Sequence, residues 1–230
     1  MTADEFRANL ESDLAWRQEE IAFFKNQLNY IMEDKKNQYR KALVLILYSH
    51  LEGYIKLSLQ TYIQHINSLG LTRNMVTVGL KTAAMNKEFN AYDNLDRKSD
   101  VFKRELPEDS GLHRFYRRVD FVSKFDEFSG KDLEIDDSIV NTESNLWYIV
   151  LQKNLYKLGL LIDLFEEYKT DIDALVNRRN SIAHGNFRSG ITQEEFHKWE
   201  VSTYYILSGI TRLLYDYACN EKYKKQGNGE

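Results

Sequence analysis

A short segment in the last quarter of the sequence carries side chains that could catalyse a reaction. Its residues are, in order, Arg178, Arg179, Asn180, Ser181, Ile182, Ala183 and His184, and Gly185 follows them. An arginine can stabilise the negative charge that develops on a phosphate in a transition state, and a histidine can move a proton. Without a metal, such a pair suits the attack of an RNA 2'-hydroxyl on its adjacent phosphate. This reaction needs two proton transfers, so a single His184 in each chain favours a dimer that brings two copies together.

The position of this segment in a helix determines which of its side chains can meet. Gly185 is a natural left-handed cap, and we therefore expect the helix to end there. At about 100° per residue, Asn180 and His184 share a face, whereas Arg179 lies about 140° from His184. The helix C-terminus favours a cationic imidazole, and a neighbouring guanidinium opposes it. The arginine must therefore lean around the helix to act with the histidine.

Structural roles would explain the same residues without any catalysis. A histidine that precedes a C-terminal glycine often caps a free carbonyl group of its own helix. Adjacent arginines commonly lie on a solvated face or pair with acids, which here could be Asp171 or Asp173. Spacing alone therefore leaves both interpretations open.

Charge and composition exclude several classes of function. With 31 Lys and Arg against 35 Asp and Glu, the formal net charge is -4, so any contact with nucleic acid must be local. Cys219 is the single cysteine, which excludes an intrachain disulfide and fits a reducing compartment. The five histidines are not spaced as zinc ligands, and no glycine-rich phosphate loop occurs. We expect neither a metal nor a cofactor.

The sequence gives no sign of a membrane segment or an export signal. Its first residues lack a basic stretch. Its longest apolar run, residues 42–48, is far shorter than the ~20 residues that span a bilayer. We therefore expect a cytoplasmic protein that does not enter a membrane.

Apolar periodicity predicts an all-α bundle of four to five long core helices. Apolar residues at three- and four-residue steps indicate one helix over 6–31 and a second over 43–66, which should form an antiparallel hairpin. A third core helix is expected over 147–165. Thr170 and Thr192 each stand three residues before an acid, and they predict capping boxes at the start of the last two helices.

The chain is predicted to be a single domain, 1–230, with one interrupted region. Periodicity degrades over 70–141, where we expect an insertion with short helices near 73–86 and 112–128. Residues 221–230 are polar and are predicted to form a frayed, disordered tail.

Three stretches of the sequence resemble the HEPN superfamily, the higher eukaryotes and prokaryotes nucleotide-binding domains. Residues 179–184 are similar to its R-x4-6-H signature, in the form in which a polar residue follows the arginine and the histidine ends the helix. Residues 49–56 and 142–146 further resemble the MAE-type bacterial HEPN proteins of defence and toxin systems. The resemblance covers most of the chain, and 70–141 matches least well.

The resemblance assigns roles to the residues that match the signature. It implies that Arg179 and His184 are catalytic and that Asn180 helps to orient them. It also implies a symmetric homodimer that cuts RNA without a metal. We therefore expect Arg179 to bind the phosphate and stabilise the transition state, and His184 to act as acid or base.

Three further residues are supporting candidates. Arg178 is the alternative arginine, in an R-x5-H interpretation of the motif, and Ser181 lies within the motif. Glu52 resembles the acidic or polar residue that many HEPN domains place on an early core helix facing the motif. Glu52 and Lys56 are, however, also spaced for a surface ion pair along one helix.

The resemblance predicts a metal-independent endoribonuclease that acts as a toxin or antiphage effector. Its partners would be an RNA substrate, a second copy of the chain, and an antitoxin or defence-system protein. The alternative is a non-catalytic HEPN module that binds a nucleotidyltransferase or another defence protein, and a purely structural helical dimer is a further one. Basic and aromatic residues within 97–121 could guide RNA or could form a solvated surface.

Overall fold

The computed structural model describes residues 1–102 and 110–225. In this part of the chain the fold is all-α, as predicted, and the β pairing there is limited to two isolated bridges. The described helices are α1 (Ala3–Asn26), α2 (Glu33–Asn67), α3 (Val78–Ala84), α4 (Asn86–Asp93), α5 (Ser110–Ser123), α6 (Phe125–Gly130), α7 (Tyr148–Lys157), α8 (Lys169–Ala183) and α9 (Gln193–Cys219).

Four helices, α1, α2, α8 and α9, form the core bundle, and α2 lies at its centre. It packs against each of the other three, and α9 also packs against α1 and α8. Tyr48, Tyr54 and Tyr62 on α2 are among the largest fully buried side chains. Since an aromatic side chain buries roughly 150–250 Å², these three residues help to fix α2 between its neighbours.

The predicted hairpin of the first two helices is present. Thr2 and Glu5 form a capping box at the start of α1, and a short 3-10 turn at Gln27–Tyr30 connects α1 to α2. The two helices are joined laterally by His50, whose Nε2 lies 2.8 Å from a carboxylate oxygen of Glu20. His50 is buried, so it serves the packing of the hairpin.

The ends of the predicted insertion meet at its base. The Leu133 N–H donates to the Leu71 carbonyl at 2.8 Å. The Asn67 side chain donates to the Ile135 carbonyl at 2.9 Å and accepts from the Ile135 N–H at 3.0 Å. Residues 71–84 and 133–140 contribute to the main apolar core, whereas none of the described residues between them does. The outer part of this region instead has a small aromatic cluster of its own, formed by Phe89, Tyr92, Phe121, Phe125 and Phe128.

The third core helix is shorter than predicted. α7 ends at Lys157, and residues 158–165 continue as irregular chain. Gly159 has a φ of +66°, and a Cβ on Gly79 would lie 2.9 Å from its Cα, so the chain turns where these two backbones touch. Phe165 is nevertheless fully buried and packs against Gly209 of α9. Apolar periodicity therefore continued past the end of the helix because the irregular segment is buried as well.

Of the two predicted capping boxes, one is correct. Thr192 accepts the Glu195 N–H, and the Glu195 carboxylate accepts the Thr192 N–H, so α9 begins as predicted. The box at Thr170 is wrong, because α8 already begins at Lys169 directly after a 3-10 turn, and no side chain caps it. The acid of that pattern, Asp173, instead accepts the Tyr148 N–H at 2.9 Å.

The first part of the expected tail differs from the prediction. Tyr223 is buried, with 4% of its surface exposed, and its carbonyl accepts the Thr77 N–H at 2.9 Å. Lys224 forms an isolated bridge with Val76. The buried Tyr223 and backbone pairing with residues 75–77 thus hold 221–225 in place. The rest of the predicted tail, 226–230, lies outside the described residues.

Helix α2 is long and apolar enough, by length and composition alone, to cross a membrane. The sequence argument counted unbroken apolar residues and missed this helix. Single polar residues interrupt the run, although the mean over a longer window remains apolar. In the fold, 56% of the most apolar window is buried. The buried part is the face that packs against α1, α8 and α9.

Candidate active site

His184 lies at the end of α8, and its side chain is exposed to solvent. The helix ends in a Schellman motif, in which Gly185 has a φ of +72°. Its N–H donates to the Ile182 carbonyl at 3.0 Å, and the Asn186 N–H donates to the Ser181 carbonyl at 2.9 Å. Backbone donors thus satisfy these carbonyls, and within the described residues the His184 imidazole forms no hydrogen bond or ion pair. It is therefore free to act on a bound molecule.

Arg179 is held by neutral groups. Its Nη1 donates to Asn180 Oδ1 at 2.8 Å and lies 3.5 Å from Asn145 Oδ1. Its guanidinium carbon lies 4.8 Å from the centre of the Tyr48 ring. Among the residues that the structure describes, no carboxylate pairs with it. Its positive charge is thus oriented but not neutralised, which suits the binding of a phosphate.

Tyr48 connects Arg179 to α2 and to the segment before α7. Its hydroxyl accepts the Leu146 N–H at 2.9 Å. Burial raises the pKa of this hydroxyl to about 12, and the negative charge of nearby Glu52 acts in the same direction. Glu52 lies one turn after Tyr48 and is half-buried, and no ion pair between it and Lys56 occurs in the described part of the chain. Glu52 and Arg179 both act on Tyr48, so Glu52 lies near the Arg179 site.

The two adjacent arginines have different surroundings. Arg178 donates to a Glu195 carboxylate oxygen at 3.3 Å, and its guanidinium carbon lies 4.0 Å from the centre of the Phe187 ring. It thereby ties the loop after α8 to the start of α9. Arg178 has a carboxylate partner and Arg179 has none, so the geometry favours Arg179 as the motif arginine.

The structure brings together some of the sequence candidates and leaves one apart. Asn180 supplies an oxygen to Arg179, as an orienting residue would. Ser181 is turned to its own helix, where its hydroxyl donates to the Asn177 carbonyl at 2.9 Å. The residues around Arg179 are otherwise ones that sequence reasoning missed as site residues, namely Tyr48 and Asn145. Asn145 fell within a stretch that resembled the family, but Tyr48 carried no signal beyond its place on an apolar face.

The other histidines and the described basic residues of 97–121 make no contact with Arg179 or His184. His65 and His113 are buried, and His197 is exposed beside Glu200. Arg117 is buried and donates to the carbonyls of Tyr92 and Arg97. The basic residues at 103 and 104 lie outside the described residues. Part of the basic surface that could guide RNA is thus used for internal packing.

The site lies apart from a cavity of about 910 Å³ that is lined by residues of α3 and α7 and by residues 159–162, since neither Arg179 nor His184 lines it. No group of three or more His, Cys, Asp or Glu side chains in the described chain could hold a metal ion. Arg179 is half-buried and His184 is exposed, and the described residues show no direct contact between the two side chains.

Comparison with known families gives one match. The family model described as HEPN_MAE_28990-like HEPN matches residues 6–223, which is nearly the whole chain. A search of curated proteins and a search of solved structures each return no match.

Proposed function

The chain belongs to the HEPN superfamily, and from this premise we propose that it is a metal-independent endoribonuclease of the 2'-hydroxyl transphosphorylation type. The observation that carries the proposal is Arg179, an oriented arginine without a carboxylate partner in the described chain, five residues before an exposed His184. HEPN domains often act as ribonucleases or defence effectors. The net charge of -4 does not oppose this role, since the contact with RNA would be local.

Each residue has a role that follows from its chemistry. Arg179 binds the scissile phosphate and stabilises the charge of the phosphorane-like transition state. His184 takes the proton from the 2'-hydroxyl or gives one to the 5'-oxygen that leaves. Asn180 orients Arg179 through its side-chain oxygen. The 2'-oxygen to phosphorus bond forms as the phosphorus to 5'-oxygen bond breaks, which yields a 2',3'-cyclic phosphate and a 5'-hydroxyl.

The two proton transfers call for two groups, and we propose that a homodimer supplies them. In this arrangement the ends of α8 from two copies face each other, so that each chain contributes one His184. The exposure of His184 supports the arrangement, because its imidazole is open to a second chain. We further propose that the enzyme works in the cytoplasm as a toxin or antiphage effector, restrained by an antitoxin or defence-system partner.

The test is a cleavage assay with purified wild-type protein, Arg179→Ala and His184→Ala. Each is incubated with total RNA, tRNA and structured RNA in EDTA, and the product ends are analysed for 2',3'-cyclic phosphate. We expect cleavage by the wild-type dimer only, with a loss of roughly 100-fold or more in each variant. Light scattering and thermal unfolding establish that the variants retain their mass and fold. The proposal fails if folded wild-type protein cuts none of these RNAs and both variants leave any cellular toxicity unchanged.

One observation favours the alternative of a non-catalytic binding module. The outer face of α5 exposes Phe115, Val119 and Val122, which are 61%, 50% and 72% accessible. These residues follow each other at steps of four and three, so they form one apolar stripe along the helix. Such a stripe is suited to contact with the apolar face of a partner protein.

This alternative has its own test. The protein is co-expressed with the products of neighbouring genes, with and without the double substitution Phe115→Ser and Val122→Ser. A stable complex that is lost in the double variant, together with no cleavage by the wild type, supports the binding module. Cleavage that depends on Arg179 and His184 but not on the stripe supports the nuclease.

A further inference from the structure

We propose that Tyr48 is a positioning residue for Arg179: its ring supports the guanidinium, and its hydroxyl fixes the segment that carries Asn145. This inference rests on the proposed ribonuclease function and adds to it a residue outside the signature motif. The ring centre lies 4.8 Å from the Arg179 guanidinium carbon, and the hydroxyl accepts the Leu146 N–H at 2.9 Å. Tyr48 is thus in contact with both sides of the arginine site.

The segment that Tyr48 holds has an unfavourable backbone. Glu143 and Ser144 have φ angles of 51° and 69°, which residues with a Cβ adopt rarely. Asn145 follows directly after them, and the N–H of the next residue, Leu146, is fixed by the Tyr48 hydroxyl. Such a conformation persists only where its surroundings determine it. The turn directs Asn145 towards Arg179, with Oδ1 3.5 Å from Nη1.

The contacts of Arg179 explain why it needs such support. An arginine that formed an ion pair would be fixed by its carboxylate, but the described partners of Arg179 are neutral side chains. A cation over an aromatic ring is attracted by the ring face without losing its charge. Tyr48 can therefore hold the guanidinium in place while leaving its N–H groups available for a phosphate.

Tyr54 provides a matched control on the same helix. It is buried as well, and its hydroxyl lies 2.5 Å from Thr211 Oγ1 and 3.3 Å from the Leu10 carbonyl. Its contacts connect α2 to α1 and α9 rather than to Arg179. Tyr48→Phe and Tyr54→Phe therefore each remove one buried, hydrogen-bonded hydroxyl, but only the first removes it from the site.

The experiment measures kcat and KM for RNA cleavage in EDTA and the unfolding free energy of each variant. Tyr48→Phe keeps the ring but frees the Leu146 N–H and the turn that carries Asn145. We expect it to lower kcat by about 10- to 100-fold through the resulting misplacement of Arg179, with little change in KM, and Tyr54→Phe to leave kcat within about twofold. In an Arg179→Lys background, which lacks the planar guanidinium, Tyr48→Phe should cost less than about threefold. A loss of the same size in both backgrounds, or an equal loss in Tyr54→Phe, would show that Tyr48 acts only through stability.

A second readout does not depend on activity. The Arg179 Nε–H signal is observed by NMR in protein labelled with 15N-arginine and is assigned by its absence in Arg179→Lys. We expect a rigid signal in wild type and Tyr54→Phe, and a mobile or shifted one in Tyr48→Phe. If wild-type protein cuts no RNA, the proposed function is wrong, and an unchanged Arg179 signal in Tyr48→Phe would overturn the positioning role as well. Should Tyr48→Phe not fold, Asn145→Ala tests the same support, with a smaller loss of kcat expected.

Discussion

At the scale of single residues, the two adjacent arginines should be separable by experiment. Arg178→Ala removes a partly exposed ion pair with Glu195, worth roughly 0.2–1 kcal/mol, and a cation–π contact with Phe187, worth roughly 0.5–1 kcal/mol. We therefore expect it to lower the unfolding free energy by about 1 kcal/mol in urea titrations while most cleavage activity remains. Arg179→Ala should remove most cleavage activity, and because it also removes a cation–π contact, with Tyr48, its loss of unfolding free energy should be of similar size. Activity rather than stability therefore separates the two arginines, and Arg188→Ala, at an exposed arginine of the next loop, is the charge control. If only Arg178→Ala lost activity, Arg178 would instead be the motif arginine, as in the R-x5-H interpretation.

The motif residues could be found from the sequence, whereas their supports could not. Arg179, Asn180 and His184 lie within six positions, so local spacing and helix geometry suffice to place them together. Tyr48 meets the Leu146 N–H across 98 residues, and Asn145 meets Arg179 across 34. Such contacts depend on how helices pack, and in sequence a buried tyrosine of α2 cannot be distinguished from any other core residue.

At the scale of helices, the two threonines that predicted capping boxes should differ in their contribution to stability. Thr192→Ala removes the side chain that accepts the Glu195 N–H, and we expect a loss of about 1 kcal/mol in unfolding free energy. Thr170→Ala should be close to neutral, because Thr170 lies inside α8 and no side chain caps that helix. Urea unfolding of both variants measures the difference. Equal losses of unfolding free energy in the two variants would mean that Thr170 caps a helix as well, contrary to the observed start of α8 at Lys169.

The end of α8 should also be sensitive to its glycine. Gly185→Ala places a Cβ on a residue with a φ of +72°, which should cost about 1–2 kcal/mol even though nothing lies within 4 Å. Gly130→Ala is the matched control, since its surroundings are equally open but its φ is not left-handed. Under the proposed function, Gly185→Ala should lower cleavage more than Gly130→Ala, because it shifts the backbone next to His184. Thermal unfolding and the EDTA cleavage assay test the two effects separately.

At the scale of the whole molecule, the fold class followed from periodicity because a bundle buries one face of each long helix, whatever its exact ends. The breaks were less predictable, since α7 ends where the backbones of Gly79 and Gly159 touch, and no pattern within α7 itself encodes that contact. The buried side chains of α2, the central helix of the bundle, include two histidines that can change charge near neutral pH, His50 and His65. Their protonation therefore couples the packing of the whole bundle to pH.

Burial lowers the pKa of both His50 and His65. In the unfolded chain the pKa of an imidazole is about 6.5. As the pH falls below this value, the unfolded state binds more protons than the folded state, and the fold therefore loses stability. Each group can contribute at most about 1.4 kcal/mol per pH unit. The carboxylates whose pKa is lowered, such as Asp120 and Glu88, act at lower pH, so the range from pH 7 to about 5 isolates the histidines. We expect the unfolding free energy from urea titrations to fall across this range, and His65→Phe, which can still stack on Phe6, to fall less steeply. Both imidazoles are neutral at pH 8, so the difference in unfolding free energy between wild type and His65→Phe at that pH measures the effect of packing alone. Equal slopes of unfolding free energy against pH in the two proteins would contradict a role for His65.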